Sequence, residues 1–277
     1  MEPLGLIAGS GRFPLLVAEE AKRLGVPVVA LGIPGVTDPA LEAVAGGLAW
    51  FRLGQLDAPI RELKGRGVRK VVMAGKIQHV SLFGGVIPDW RAAKVLLGLK
   101  DKRTDSILKA VVDEFAKDGL ECVSSALYLE HLLAPNGALT KKIFSKDELK
   151  DASLGWKAAK AVAGFDIGQT VVVQASAIVA VEGMEGTDAC IARASSLARS
   201  QGRESALVVV KVAKPKQDFR FDLPVVGLET LVQFKAAGVK ALALEAGSTL
   251  VFDLERFSKD ADAASIAVMG FSPEGPI

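Results

Sequence analysis

The chain has 277 residues, enough for two ordinary domains, and half of them are hydrophobic, which excludes bulk disorder. Its 34 basic and 32 acidic residues leave a net charge of +2, which argues against nucleic acid as a partner because that needs a clustered basic excess. The two cysteines lie far apart with no CxxC spacing and there are only two histidines, which argues against a structural zinc site and indicates a reducing compartment. No signal peptide is apparent and no apolar run reaches the roughly 20 residues of a membrane span, so a soluble protein is expected.

Residues 1–132 are predicted to form a Rossmann-like α/β domain. Short apolar runs typical of buried strands alternate with segments whose apolar residues repeat at helical spacing. Because the connections are short, this order predicts a parallel sheet with helices on its faces. The predicted strands are residues 4–8, 26–32, 49–53, 68–74 and 123–128, and the predicted helices are residues 14–24, 56–64 and 90–117.

A second, smaller mixed α/β unit is predicted over residues 165–277. Residues 133–164 are interpreted as a linker and a connecting helix, since residues 133–139 have turn chemistry. Ser145 and Glu148 have the spacing of a capping box, in which each side chain satisfies an exposed amide beside the other. The strands of this unit are predicted within residues 170–182, 206–212, 241–244, 249–253 and 265–269, and its helices within residues 188–199, 228–237 and 255–264.

Gly9, Ser10 and Gly11 lie between the first predicted strand and helix, where backbone amides and the helix dipole favour a phosphate. Pro14 occupies the place of the third glycine of a dinucleotide-binding pattern, and no acidic residue ends the second predicted strand. These differences argue against NAD. A plain tight turn explains the segment as well as an anion site does.

Gly75 and Lys76 follow the fourth predicted strand. Ligands of open parallel sheets gather at the carboxyl ends of the strands, so Lys76 is expected to face the same crevice as Gly11. The simpler alternative, which the sequence alone favours, is a solvated lysine.

An apolar cluster precedes the helix predicted from residue 90. It consists of Phe83, Val86, Ile87 and Trp90. Such a cluster is typical of an apolar groove or of a surface that touches lipid, but burial in the core is the commoner outcome and is the expectation here.

Three acidic residues, Glu182, Glu185 and Asp188, lie close together between a predicted strand and a predicted helix. They repel one another unless a cation lies among them, and magnesium prefers such oxygen ligands. On the alternative interpretation, Thr187 caps the helix and Asp188 complements its dipole. The two interpretations are compatible, and both stay open.

Residues 211–224 form the most unusual segment of the chain. If it is extended, Asp218, Arg220 and Asp222 share one face while Phe219 and Phe221 share the other and anchor it. Three lysines upstream add positive charge suited to phosphate: Lys211, Lys214 and Lys216. An edge strand protected by charge is the alternative, but two prolines weaken it because they restrict ladder pairing.

Five motifs in this order resemble those of the UDP-2,3-diacylglucosamine pyrophosphatases of the LpxI type. They are GLIAGSGRFP near the start, AGK at 74–76, DIGQ at 166–169, EGTD at 185–188 and KPKQDFRFDLPVVG at 214–227. The last motif is long and peculiar enough to be specific, whereas AGK alone is not. Together the motifs span nearly the whole chain.

The resemblance implies hydrolysis of the diphosphate of UDP-2,3-diacylglucosamine to UMP and 2,3-diacylglucosamine 1-phosphate, a step of lipid A biosynthesis in Gram-negative bacteria. It also implies Mg²⁺ (or Mn²⁺) as cofactor and two α/β domains with the lipid in a cleft between them. A cytoplasmic protein in transient, peripheral contact with the inner membrane is expected, with a homodimer as the default oligomer.

The family's essential metal-associated aspartate corresponds to Asp222 here. The expected catalytic residues are Asp222, Asp188 and Arg220, and the expected metal ligands are Asp222, Asp188, Glu182 and Asp218. The expected substrate-binding residues are Gly9, Ser10, Gly11, Gly75, Lys76, Gln169, Thr187, Lys211, Lys214 and Gln217. Two alternatives stay open, a Rossmann-like nucleotide-binding oxidoreductase and a ligand-binding protein without catalysis.

Overall fold

A computed structural model describes residues 1–77, 87–99, 101, 103–200, 206–215 and 217–276. The chain divides into two compact units. The first comprises Met1–Leu129 and Phe219–Asp222, and the second comprises Glu130–Asp218 and Leu223–Ile277. Two α/β units and a parallel first sheet were predicted from the alternation of apolar runs, and both are confirmed.

The first unit is built on a five-stranded parallel sheet of order β3-β2-β1-β4-β5. Its strands are β1 (Leu4–Ala8), β2 (Val28–Gly32), β3 (Leu48–Trp50), β4 (Lys70–Ala74) and β5 (Glu121–Cys122). Its helices are α1 (Phe13–Arg23), α2 (Leu41–Ala45), α3 (Asp57–Gly65), α4 (Trp90–Leu97) and α5 (Thr104–Ala116). β1 and β4 are buried almost throughout, as apolar runs inside a parallel sheet should be.

The last predicted strand of this unit, residues 123–128, was wrong. β5 ends at Cys122, and the following residues form turns. Ser124 contributes to the change, because a short hydroxyl side chain competes with neighbouring strands for backbone groups. Ser124 Oγ accepts a hydrogen bond from the amide of Ala126, and Ser124 O accepts another from the amide of Leu127.

The second unit contains a six-stranded mixed sheet of order β6-β13-β11-β9-β7-β8 and a separate two-stranded parallel sheet of β10 and β12. Its strands are β6 (Gly137–Ala138), β7 (Thr170–Gln174), β8 (Ala177–Val181), β9 (Leu207–Lys211), β10 (Val225–Val226), β11 (Val239–Glu245), β12 (Leu250–Val251) and β13 (Ala267–Phe271). Its helices are α6 (Lys146–Gly164), α7 (Thr187–Ser200), α8 (Leu228–Ala237) and α9 (Leu254–Ala263). This unit comprises residues 130–218 and 223–277, against 1–129 and 219–222 in the first, so it is not the smaller one.

Helix α6 is part of the second unit and does not connect two domains, which corrects the interpretation of residues 133–164. It buries Ala152, Trp156 and Ala159 in a core that also contains the inward-facing valines of β7 and β9. The capping box at its start is confirmed: Glu148 N donates to Ser145 Oγ, and Ser145 N donates to Glu148 Oε2 at 2.7 Å. The predicted linker itself contributes β6, paired with β13. The spacing of apolar residues predicts this helix, but it does not indicate which sheet the helix packs against.

Across the described ranges of the chain, none of the helices is long and apolar enough to cross a membrane.

Candidate functional site

The first unit brings two predicted loops together at the carboxyl edge of its sheet. β1 and β4 are neighbours, yet the chain leaves β1 for β2 on its other side, so the strand order reverses between them. Such a switch point is where open α/β sheets bind ligands. Residues 9–11 follow β1, and Gly75 and Lys76 follow β4, so both loops lie at this point.

Hydrogen bonds join these two loops directly. Ser10 N donates to Lys76 O at 2.9 Å, Lys76 N donates to Ser10 O at 3.0 Å, and Ser10 Oγ lies 2.9 Å from Lys76 O. The glycines permit this approach, because a Cβ on Gly9 would lie 2.8 Å from Lys76 O, and one on Gly75 would lie 2.7 Å from Ser10 O. Gly75 also has a φ of +95°. The amide of Ser10 therefore holds the loops together, which leaves Gly11 and the exposed Lys76 side chain as the parts of this edge that face solvent.

The segment Phe219–Asp222 belongs to the first unit, although its sequence lies within the second half of the chain. Residues 219–221 form a turn and not the predicted strand, so the alternating faces of charged and aromatic side chains do not exist. Phe221 packs against the core of the first unit, while Phe219 is exposed. The prediction failed because the alternation covers only five residues. Charged and aromatic residues in this order also fit a turn that is anchored by one buried aromatic side chain.

Ser125 fixes this turn to the carboxyl end of β4. Its amide donates to Phe219 O at 2.7 Å, and its buried hydroxyl lies 3.0 Å from Arg220 O and 2.9 Å from Met73 O. Met73 is the penultimate residue of β4. The turn that contains Arg220 and is followed by Asp222 therefore lies at the same sheet edge as the two glycine loops. Both side chains are partly buried and engaged in further interactions.

A buried polar cluster lies in the second unit where β9 ends, β7 begins and α7 begins. Lys211 and Glu182 are only 5% and 7% exposed. Thr187 Oγ1 links them, since it accepts a hydrogen bond from Lys211 Nζ at 2.7 Å and donates to Glu182 Oε1 at 2.9 Å. Thr170 Oγ1 lies 3.4 Å from the same hydroxyl. Buried charges need such partners. Thr187 thus joins a charged pair, a role that the capping interpretation did not include.

The DIGQ segment closes this cluster from one side. Gln169 N donates to Glu182 Oε2 at 3.3 Å, while Gln169 Oε1 is buried with no hydrogen-bond partner within the described residues. A Cβ on Gly168 would lie 2.1 Å from Glu182 O, so only glycine fits there. The predicted residues Gln169, Thr187 and Lys211 are therefore close together, and Glu182 accompanies them.

Lys214 and Gln217 shape the loop that follows β9. Lys214 N donates to Gln217 Oε1 at 2.6 Å, and Gln217 N donates to Lys214 O. Lys214 Nζ pairs with Asp166 at 2.6 Å. The predicted role of Lys216 lies outside the described residues. These contacts indicate that Lys214 and Gln217 stabilise the loop. Their predicted role in binding substrate stays a prediction.

Glu245 anchors the start of the same loop and was missed in the sequence. Its Oε2 accepts hydrogen bonds from Ala213 N at 2.8 Å and from Lys160 Nζ at 2.6 Å, and it is buried. An acidic residue at the end of the apolar run of β11 was the available signal. Ser125 had none, because its partners lie far away in the sequence.

The four predicted metal ligands do not form one group. Glu182 already accepts hydrogen bonds at both oxygens, Asp188 is exposed at the start of α7, and Asp218 and Asp222 belong to different units. Nowhere in the described part of the chain do three His, Cys, Asp or Glu side chains lie where they could hold a metal ion. The side chains as placed therefore do not fit a preassembled magnesium site.

Two further ionisable groups near the cluster, Glu185 and Cys190, have pKa values that are shifted from their usual range. Glu185 pairs with Arg193 at 2.6 Å, and this hydrogen bond holds the pKa of Glu185 below its usual range. Burial raises the pKa of the Cys190 thiol to about 11, so it is uncharged near neutral pH and unsuited to act as a nucleophile.

Comparisons with known proteins cover nearly the whole chain. The family model of the LpxI N-terminal domain matches residues 3–132, and that of the LpxI C-terminal domain matches residues 135–269. A protein of Caulobacter vibrioides named UDP-2,3-diacylglucosamine pyrophosphatase LpxI is 31% identical over 280 residues, or 99% of each chain. Among solved structures, the biotin carboxylase subunit of pyruvate carboxylase is 11% identical, with 74% of this chain and 41% of that chain covered. Its TM-score of 0.24 is too low to carry an argument.

These matches correct the resemblance that the five motifs suggest. Five short motifs were interpreted as those of an enzyme class defined by its activity. The matches define the family by two domains and by similarity over the full length, and membership rests on these and not on an activity. The chain belongs to the LpxI family.

Proposed function

We propose that this chain hydrolyses the diphosphate of UDP-2,3-diacylglucosamine to UMP and 2,3-diacylglucosamine 1-phosphate. The observation that carries the proposal is the full-length similarity to a protein named for this activity. The position of Asp222 adds to it, because Asp222 directly follows a turn that is fixed at the sheet edge where open α/β folds bind ligands.

In the proposed reaction, a water oxygen forms a bond to one phosphorus as the bridging P–O bond breaks. Two phosphate monoesters form and the water gives up its proton. Asp222 is proposed to orient this water and accept the proton, and Arg220 to face the developing negative charge.

Dependence on Mg²⁺ (or Mn²⁺) is proposed separately, and no step is assigned to a metal. A diphosphate carries negative charge that a divalent cation can neutralise, and this chemistry supports the proposal in place of any ligand group among the described residues. Loss of activity in EDTA, with recovery on added magnesium, tests this part. Activity that persists in EDTA would contradict it.

A cytoplasmic enzyme of a Gram-negative bacterium in transient contact with the inner membrane is also proposed, because a diacylated substrate resides in a bilayer. A homodimer is proposed as the default oligomer, to be checked by light scattering. The predicted substrate cleft stays a prediction.

The decisive assay incubates the purified protein with UDP-2,3-diacylglucosamine and magnesium and follows UMP. Release of UMP together with the sugar phosphate supports the proposal. Stabilisation by NADH in a melting experiment, without hydrolysis, would favour an oxidoreductase. Binding of the substrate without turnover would favour a protein that only binds it.

A further inference from the structure

Helix α4 of the first unit presents large apolar side chains to solvent. Ile87, Trp90 and Leu97 are 87%, 85% and 88% exposed. Trp90, Lys94 and Leu97 follow one another at spacings of four and three residues, so they lie on one face of the helix. The expectation of core burial for Ile87 and Trp90 was therefore wrong, while Phe83 and Val86 lie outside the described residues.

The opposite side of this helix is fixed to the unit. Asp89 caps it by accepting a hydrogen bond from Ala92 N at 2.7 Å, and its other oxygen accepts from Leu56 N at 2.8 Å and Asp57 N at 2.9 Å. The helix also buries Ala92. The exposed apolar face is thus held outward by polar bonds on the other side, and is not the result of a loosely attached segment.

The chemistry of the face matches an anionic lipid surface. Tryptophan is favoured at membrane interfaces because its ring is apolar and its N–H is polar. Lys94 lies between Trp90 and Leu97 and is exposed. Asp89 is the one acidic residue from 87 to 97, and three backbone amides occupy its oxygens. Apolar side chains around a lysine, with no acidic residue among residues 90–97, attract negatively charged head groups.

We propose that the helix face formed by Trp90, Lys94 and Leu97, together with the exposed Ile87 just before the helix, docks this protein onto an anionic bilayer surface. The inference rests on the proposed function, since docking serves an enzyme whose substrate has two acyl chains. A face of one short helix gives weak, reversible binding, which permits the enzyme to move between substrate molecules.

The test compares sedimentation with vesicles of phosphatidylethanolamine and phosphatidylglycerol with sedimentation with phosphatidylcholine vesicles. Wild type should bind the anionic vesicles more tightly. The double variant Trp90→Ser/Leu97→Ser should bind them about tenfold more weakly, because two apolar side chains leave the interface. Lys94→Glu should lose the preference for anionic lipid. Phe165→Ser is the matched control, since Phe165 is 80% exposed in the second unit, and it should bind as wild type does.

Activity separates this inference from the proposed function. A short-chain diacyl analogue dissolved as monomers should be hydrolysed equally by wild type and by the double variant, whereas substrate in vesicles should be hydrolysed more slowly by the variant. Equal vesicle binding by both proteins overturns docking, as does a variant that only changes from dimer to monomer. If wild type fails on the soluble analogue but binds vesicles through this face, the proposed function fails and docking stands.

Discussion

Ser125 supplies hydrogen bonds to the backbone of the turn of residues 219–221, as a neighbouring strand would for an extended segment. Its amide and hydroxyl reach two successive carbonyl groups of the turn, and its hydroxyl also reaches β4. Two of the residues proposed for chemistry, Arg220 and Asp222, are therefore positioned through a serine that has no chemical role of its own. A small shift of such groups is costly, because catalysis depends on their alignment.

Ser125→Ala should lower kcat by about tenfold with a smaller effect on KM, and should destabilise the protein by roughly 1–2 kcal/mol through lost buried hydrogen bonds. Kinetics on the soluble substrate analogue and urea unfolding measure the two effects. Ser125→Thr, which retains the hydroxyl, should restore part of kcat. Ser124→Ala, which removes the neighbouring hydroxyl, is the control. Equal kcat in Ser125→Ala and wild type would show that the turn does not depend on this serine.

Among single residues, sequence reasoning identifies those whose residue type alone indicates a role, such as a glycine directly after a strand. Gly9 and Gly75 are singled out in the sequence because each follows a predicted strand, where phosphate can bind, and in the structure they permit a close approach of two backbones. Ser125 and Glu245 were not recognised, because their function depends on partners 95 and 32 residues away along the chain. Spacing rules describe local neighbours and contain no information about such pairs.

At the scale of elements, α4 is joined to α5 and the turn after it by a charged network. Arg91 pairs with Glu114 at 2.7 Å and with Asp118. Hydrogen bonds from Lys117 and Arg91 hold the pKa of Glu114 below its usual range, and hydrogen bonds from Lys64 and Arg91 do the same for Asp118. Both carboxylates are therefore charged near neutral pH.

Because these pKa values are lower in the folded protein, the network stabilises it fully above the unfolded values of about 4, and this contribution is lost as the pH falls below them. Thermal unfolding of wild type followed from about pH 6 to about pH 3 should show this loss. Arg91→Met should flatten that dependence, while Arg66→Met, which breaks an exposed pair with Glu62, should leave it unchanged. Parallel curves for wild type and Arg91→Met would contradict the role of the network.

The elements themselves were predicted well where local signals agree. Helix α8 has the predicted bounds, since apolar spacing and a terminal glycine point to the same end. Residues 211–224 were predicted poorly, because proline, lysine and alternating charge fit several backbone paths and the first unit decides among them. The edge strand β6 lies inside the predicted linker, because two residues are too few to show the alternation of apolar and polar side chains that predicts a strand.

In the whole molecule, the two compact units do not coincide with two continuous stretches of sequence. The LpxI C-terminal domain model spans residues 135–269, yet Phe219–Asp222 packs within the first unit. A segment that leaves one unit for four residues has no signature in composition, which is why a single boundary was predicted. Asp222, the residue on which the proposed chemistry depends most, lies in this segment.

The rate of UMP release from UDP-2,3-diacylglucosamine by Asp222→Asn tests the account most directly. We expect at least about a hundredfold fall in kcat relative to wild type, because loss of a proton acceptor removes general-base catalysis. Thermal stability should change little, and Asp188→Asn, at an exposed site, should fall much less. An Asp222→Asn protein that is folded and releases UMP at the wild-type rate would contradict it.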